Sequence, residues 1–155
     1  MLNLFKKEIQ ICSPVAGRTQ SIESVNDPMF SQKMMGDGIA ISPSEGKFYA
    51  VESGVLSAFF PTMHAYGITC DNGVEILVHL GIDTVNANGN GFTSTKKQGD
   101  RIEKGDLIIT VDLDNLKQTY DMTTMVVITN LNNKTIIKKN IDQNVTHSDT
   151  ILTLK

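Results

Sequence analysis

The chain has 155 residues, 40% hydrophobic and 20% charged, and at roughly 100–200 residues per domain this is one compact domain spanning 1–155, with no room for a second catalytic one. Lys and Arg total 14 against 17 Asp and Glu, a net charge of −3 that disfavours nucleic acid and suits a partner with a basic face. No apolar run approaches the ~18 residues needed to cross a bilayer, which excludes an integral helical membrane protein.

At the N-terminus, Met1–Glu8 sets Lys6 and Lys7 after a few apolar side chains, the reverse of a signal peptide's order. Residues 1–8 are expected to be a flexible segment, and the protein to be cytoplasmic. Ile9–Cys12 opens a succession of β-branched or alternating runs, punctuated about every ten residues by Gly, Asn, Asp or Pro. Asp27–Met35 interrupts it with a helical signature, because Asp27 can cap and Pro28 suits the first helical position. Strands are expected at Gly38–Ile41, Phe48–Val51, Gly54–Phe60, Tyr66–Cys70, Val74–His79 and Leu107–Val111. Asp114–Thr119 reads as a capped helical turn, Met125–Thr129 as a strand, 132–144 as a loop-rich polar edge and Ile151–Leu154 as the last strand. Short strands at this spacing, with one or two short helices, predict an all-β fold, an antiparallel β-sandwich or barrel-like. Cys12 and Cys70 stand far apart outside any paired motif and read as buried small hydrophobes.

The most informative stretch is Thr62–His79. Asn72-Gly73 predicts a two-residue type I′ hairpin turn, because both central residues of that turn need positive φ. The resulting register sets Cys70 against Glu75, Ile68 against Leu77 and Tyr66 against His79. His64 then shares a face with His79, diagonally across, where imidazoles can converge. Leu77, Tyr66 and Ile68 would line a shallow site with apolar walls, in which burial favours the neutral ring. A three-residue loop would instead shift the register by one and turn His64 to the opposite face. His147 reads as an ordinary packed or solvated side chain.

Two facing imidazoles permit two chemistries. They can bind a metal, or one can act as a nucleophile toward phosphorus while the other donates a hydrogen bond to the phosphoryl oxygens. Catalytic zinc generally takes three protein ligands, and no third histidine or His-x-His spacing lies near. The second chemistry is therefore favoured. A zinc hydrolase using His64 and His79 is the alternative, and a biotinyl- or lipoyl-type carrier using Lys33 is a more remote one.

Ser13-Pro14-Val15-Ala16-Gly17, Gly36-Asp37-Gly38-Ile39-Ala40-Ile41, Thr62-Met63-His64-Ala65, Val78-His79-Leu80-Gly81-Ile82-Asp83-Thr84-Val85 and Gly89-Asn90-Gly91-Phe92 occur in that order. Together they resemble the glucose-type A component (enzyme IIA) of the bacterial phosphoenolpyruvate-dependent sugar phosphotransferase system, over about Ile11 to Asn130. The resemblance implies an antiparallel β-sandwich in which His79 carries phosphate, His64 stabilises the phosphoryl group and Thr62 orients the His64 ring. It implies phosphate received from the carrier protein HPr and passed to a cysteine of a sugar transporter's B domain, with further regulatory protein targets. No cofactor is required, though the two rings would admit incidental zinc. By position and family similarity, Met29, Phe30, Met34, Met35, Phe60 and Leu77 are expected to form an apolar docking ring, with Asp27 and Asp83 pairing with a basic donor. Met63 stands where a polar residue is expected, and Asn86-Ala87-Asn88 where an apolar one is common. Many relatives are fused to a transporter; this chain is expected to act in trans.

Overall fold

In the computed structural model, which describes residues 7–155, fourteen short strands and two single-turn helices follow one another among the described residues. They are β1 (Ile9–Cys12), β2 (Gly17–Ser21), α1 (Pro28–Ser31), β3 (Gly38–Pro43), β4 (Lys47–Tyr49), β5 (Gly54–Phe59), β6 (Ala65–Cys70) and β7 (Glu75–Leu80). After these come β8 (Phe92–Thr93), β9 (Arg101–Ile102), β10 (Leu107–Val111), α2 (Leu113–Leu116), β11 (Thr124–Asn130), β12 (Ile136–Lys139), β13 (Asn144–Val145) and β14 (Thr150–Leu154). The pairs are antiparallel and build an eight-stranded sheet, β13-β2-β3-β11-β7-β6-β5-β9, with three-stranded sheets β4-β10-β8 and β1-β14-β12. The all-β antiparallel expectation holds.

Each of the nine expected strands is present, β1 and β10 with the expected bounds and the others with ends moved by at most two residues. β2, β8, β9, β12 and β13 were not anticipated. Two-residue bridges such as β8, β9 and β13 carry no periodicity to read, and the polar β2 and β12 are fixed by pairing with β3 and β14. Asp27 does cap α1, its carboxylate accepting from the Met29 N–H at 3.0 Å, but the helix ends at Ser31 instead of Met35. The second helix is capped by Asp112, not Asp114, and Asp114 lies in its first turn. Of the N-terminal segment, residues 1–6 lie outside the described part.

β11 is buried along Thr124–Ile128 on both faces, which explains its unbroken apolar run. Val126 and Ile128 join the large core with Ile39, Ile41, Leu56, Tyr66, Ile68, Val78 and Leu80. Met125 and Val127 point the other way, into a smaller cluster with Ile22, Val25, Phe30 and Ala40 beneath α1. Phe30 of this second cluster lies next to the ring of His79.

The hairpin register corrects the expectation. Asp71–Gly73 forms a three-residue loop: the Cys70 N–H donates to the Val74 carbonyl and the Gly73 N–H to the Cys70 carbonyl, each at 2.9 Å. Gly73 alone adopts a left-handed conformation, at φ 85°, so the type I′ turn does not form. Asn72 instead uses its side-chain oxygen to accept from the Val74 N–H at 3.1 Å. Ala65 therefore faces His79, Tyr66 faces Val78 and Gly67 faces Leu77. Tyr66 and Ile68 are turned into the large core and do not line the histidine face.

Candidate phosphoryl-transfer site

His79 alternates with Leu77 on the half-buried face of β7 and pairs with Ala65 on β6 and Met125 on β11. With this register, an extended strand would send His64 to the core side opposite Leu80. The connection between β5 and β6, residues 60–64, instead makes a turn. The Met63 N–H closes a turn on the Phe60 carbonyl at 2.8 Å, and Met63 takes a left-handed φ of 57°. The His64 carbonyl accepts from the Leu80 N–H at 2.7 Å, and its ring swings to 5.2 Å from that of His79, edge to face at 77°. A turn brings the two imidazoles together, where the sequence pointed to strand register. Met63 directs its apolar side chain against the large core, which accounts for an apolar residue between two polar ones.

Each ring has an aromatic neighbour. Phe30 of α1 lies 5.0 Å from the His79 ring, and Phe60 lies 5.2 Å from that of His64. Thr62 Oγ1 and His64 Nδ1 are hydrogen-bonded at 2.5 Å. His79 Nδ1 is 2.7 Å from the Gly81 carbonyl oxygen. A carbonyl only accepts, so Nδ1 carries the proton, and in the neutral ring Nε2 has the free lone pair. Burial lowers the pKa of both rings. For His79 burial is the largest cause, the His64 charge lowers it further, and the Gly81 carbonyl, Asp27 and Asp83 act in the opposite direction. Both imidazoles are neutral at neutral pH.

Met29, Met34, Met35 and Phe60 are exposed as expected of a docking ring, and Leu77 is half-buried. Phe30 is not part of that surface. At 2% exposure it belongs to the smaller core, so it forms the wall behind His79. Asp83 is exposed at a left-handed φ of 60° with no capping bond, whereas Asp27 is engaged in capping α1. The Gly81 carbonyl is the functional group that the sequence reading missed, since a backbone acceptor has no residue-type signal. His147 stacks on Tyr49, with ring centroids 3.8 Å apart. Among the described residues no group of three or more His, Cys, Asp and Glu side chains is placed to hold a metal. No helix among them is long and apolar enough to cross a membrane.

Comparison with known proteins identifies the family. Residues 9–134 match the family model for the phosphoenolpyruvate-dependent sugar phosphotransferase system, EIIA 1. The chain is 42% identical over 134 residues to a glucose-specific EIIA component of Halalkalibacterium halodurans, covering 86% of this chain and 78% of the relative. It is 45% identical over 122 residues to a beta-glucoside-specific EIIBCA component of the same organism, covering 78% of this chain and 19% of that longer protein. Among solved structures, the glucose permease IIA from Mycoplasma capricolum superposes with a TM-score of 0.92 at 36% identity, over 98% of this chain and 99% of that one. The fold is thus the β-sandwich of that structure, and nothing in these matches supports a hydrolase. The chain belongs to the EIIA 1 family of the phosphoenolpyruvate-dependent sugar phosphotransferase system and is a phosphotransferase component of it.

Proposed function

We propose that this protein is a cytoplasmic phosphocarrier in which His79 Nε2 takes a phosphoryl group from the phosphohistidine of HPr and hands it to a cysteine of a sugar transporter's B domain. The observation that supports this most directly is the Nδ1–H of His79 on the Gly81 carbonyl, which leaves Nε2 as the nucleophilic nitrogen beside the His64 ring. In each step one bond to phosphorus forms as another breaks. The donor imidazole departs as the His79 N–P bond is made, and that N–P bond breaks as the cysteine sulfur takes the group. Such transfer has a loose transition state, so the protein contributes alignment and hydrogen bonds, and no nucleotide is needed. His64 donates from its ring to the phosphoryl oxygens, and Thr62 sets that ring's orientation. The exposed Met29, Met34, Met35 and Phe60 dock successive partners and exclude water, and Asp83 faces basic groups on the donor. The fused EIIBCA relative, which carries A and B components in one chain, supports a B-domain acceptor. Zinc held by His64 and His79 would be incidental to the transfer.

The test is incubation with phosphoenolpyruvate, enzyme I and HPr. Acid-labile phosphate is expected on wild type and not on His79→Ala. His64→Gln is expected to accept phosphate and pass it on slowly. Labelling of His79→Ala at the wild-type level refutes the assignment.

A further inference from the structure

The tautomer of His79 depends on where one carbonyl points, and that carbonyl sits in a loop with unusual backbone. Gly81 has φ 82° and Asp83 φ 60°, so the chain reverses abruptly after β7. The two peptide planes on either side of the Gly81 Cα are each anchored. In the first, the Leu80 carbonyl accepts from the Thr84 hydroxyl at 2.5 Å. In the second, which contains the Gly81 carbonyl itself, the Ile82 N–H donates to the Asp121 carbonyl at 2.8 Å. Asp121 is braced in turn, its carboxylate accepting from both the N–H and the hydroxyl of Thr123, at 2.9 and 2.6 Å.

Thr84 is fully buried, and its hydroxyl has no exposed role to perform. A Cβ built on Gly81 would meet the Thr84 methyl at 2.6 Å and the Met122 sulfur at 3.0 Å, so the loop is also packed tightly against the threonine. Leu80 ties this arrangement to the second histidine, since its N–H donates to the His64 carbonyl while its own carbonyl accepts from Thr84. Fixing both planes leaves the Gly81 carbonyl one direction, toward His79 Nδ1. A hydrogen bond to one ring nitrogen decides which nitrogen is left to react.

We infer that Thr84 is a positioning residue for phosphoryl transfer: through the Leu80 carbonyl, its hydroxyl aims the Gly81 carbonyl at Nδ1 and so presents Nε2 of His79 as the nucleophile. This inference rests on the phosphohistidine reading of His79. Thr84→Val keeps the shape and removes the hydroxyl, whereas Thr84→Ser keeps the hydroxyl and removes the methyl. Long-range proton–nitrogen NMR of the nitrogen-15-labelled proteins, at a pH where His79 is neutral, reads the tautomer directly. The Nδ1–H form is expected to dominate in wild type and Thr84→Ser and to lose ground to the Nε2–H form in Thr84→Val. Acceptance from phospho-HPr should then slow about tenfold in Thr84→Val and recover in Thr84→Ser, since a displaced reacting group costs rate on this scale or beyond. A wild-type tautomer ratio in Thr84→Val overturns the inference whatever its rate, as does a shifted ratio in Thr84→Ser. Should Thr84→Val not fold, Thr84→Ala is compared with Thr84→Ser by the same criteria. Wild type that stays unlabelled by phospho-HPr defeats the phosphocarrier reading, while the tautomer ratios still decide whether Thr84 governs His79.

Discussion

Truncating Phe30 separates a core residue from a docking residue. Its ring is 2% exposed, packs in the cluster of Ile22, Val25, Ala40, Met125 and Val127, and lies 5.0 Å from the His79 imidazole. Phe→Ala at such a site removes the buried ring and leaves a cavity, a loss of about 3–5 kcal/mol. Small domains have only about 5–15 kcal/mol in total, so roughly a fifth of the stability or more is at stake. With a urea dependence of about 1–3 kcal/mol per molar, the unfolding midpoint of Phe30→Ala should fall by on the order of 2 M. Opening the wall also lets water reach His79. Because burial is the chief cause of its lowered pKa, the NMR titration midpoint of that ring should rise. Met34→Ala is the control: at 69% exposure it should move stability by less than about 0.5 kcal/mol while weakening partner docking. If Phe30→Ala leaves both the urea midpoint and the His79 titration unchanged and impairs only transfer between proteins, the placement of Phe30 behind the histidine is refuted.

Stability should also depend on pH through the paired rings. Both pKa values are lowered by folding, so the unfolded chain binds more protons once the pH falls below about 6.5, the ordinary imidazole value. Their contribution is present in full above that pH and is lost as the pH falls through the folded-state values. The drop in stability between about pH 7.5 and pH 5 should be smaller in the double variant His64→Gln, His79→Gln, and an equal drop in both proteins refutes the assignment. Gly38→Ala should destabilise strongly although its backbone is ordinary, because the added Cβ would fall on the Val126 carbonyl oxygen of the neighbouring strand. A thermal midpoint within a degree or so of wild type would show that β3 and β11 are not in this close contact.

The strand count and hairpin show how far local pattern carries. Alternation and β-branching located nine of the fourteen strands, since a half-buried strand writes its burial into the sequence, but missed the five-residue β2 and the four-residue β12, which lack that apolar alternation. The bridges β8, β9 and β13 are defined only by the strands beside them. Asn72-Gly73 marked a reversal correctly, but whether Asn72 joined Gly73 at positive φ was decided by its side chain bonding Val74 and by the Asn132 side chain donating to its carbonyl at 3.1 Å. The actual register would have parted the histidines, yet the left-handed Met63 brought His64 back.

What the sequence determined by itself was the chemistry: two imidazoles, a threonine beside one and a glycine beside the other, in segments whose order identifies the family. Residue types and their spacing are local quantities, and so is the chemistry they permit. Which ring nitrogen is free is decided by backbone direction that residue types do not reveal: the Gly81 carbonyl faces His79 Nδ1 within a loop tied locally by Thr84 and, across the fold, by the Ile82 N–H on the Asp121 carbonyl. Tertiary structure alone decided that Phe30 lies buried beside the His79 ring while its neighbour Met29 faces outward. Hydrogen-bond direction and burial belong to pairs of segments, and no run of residues contains them until the sheet has formed.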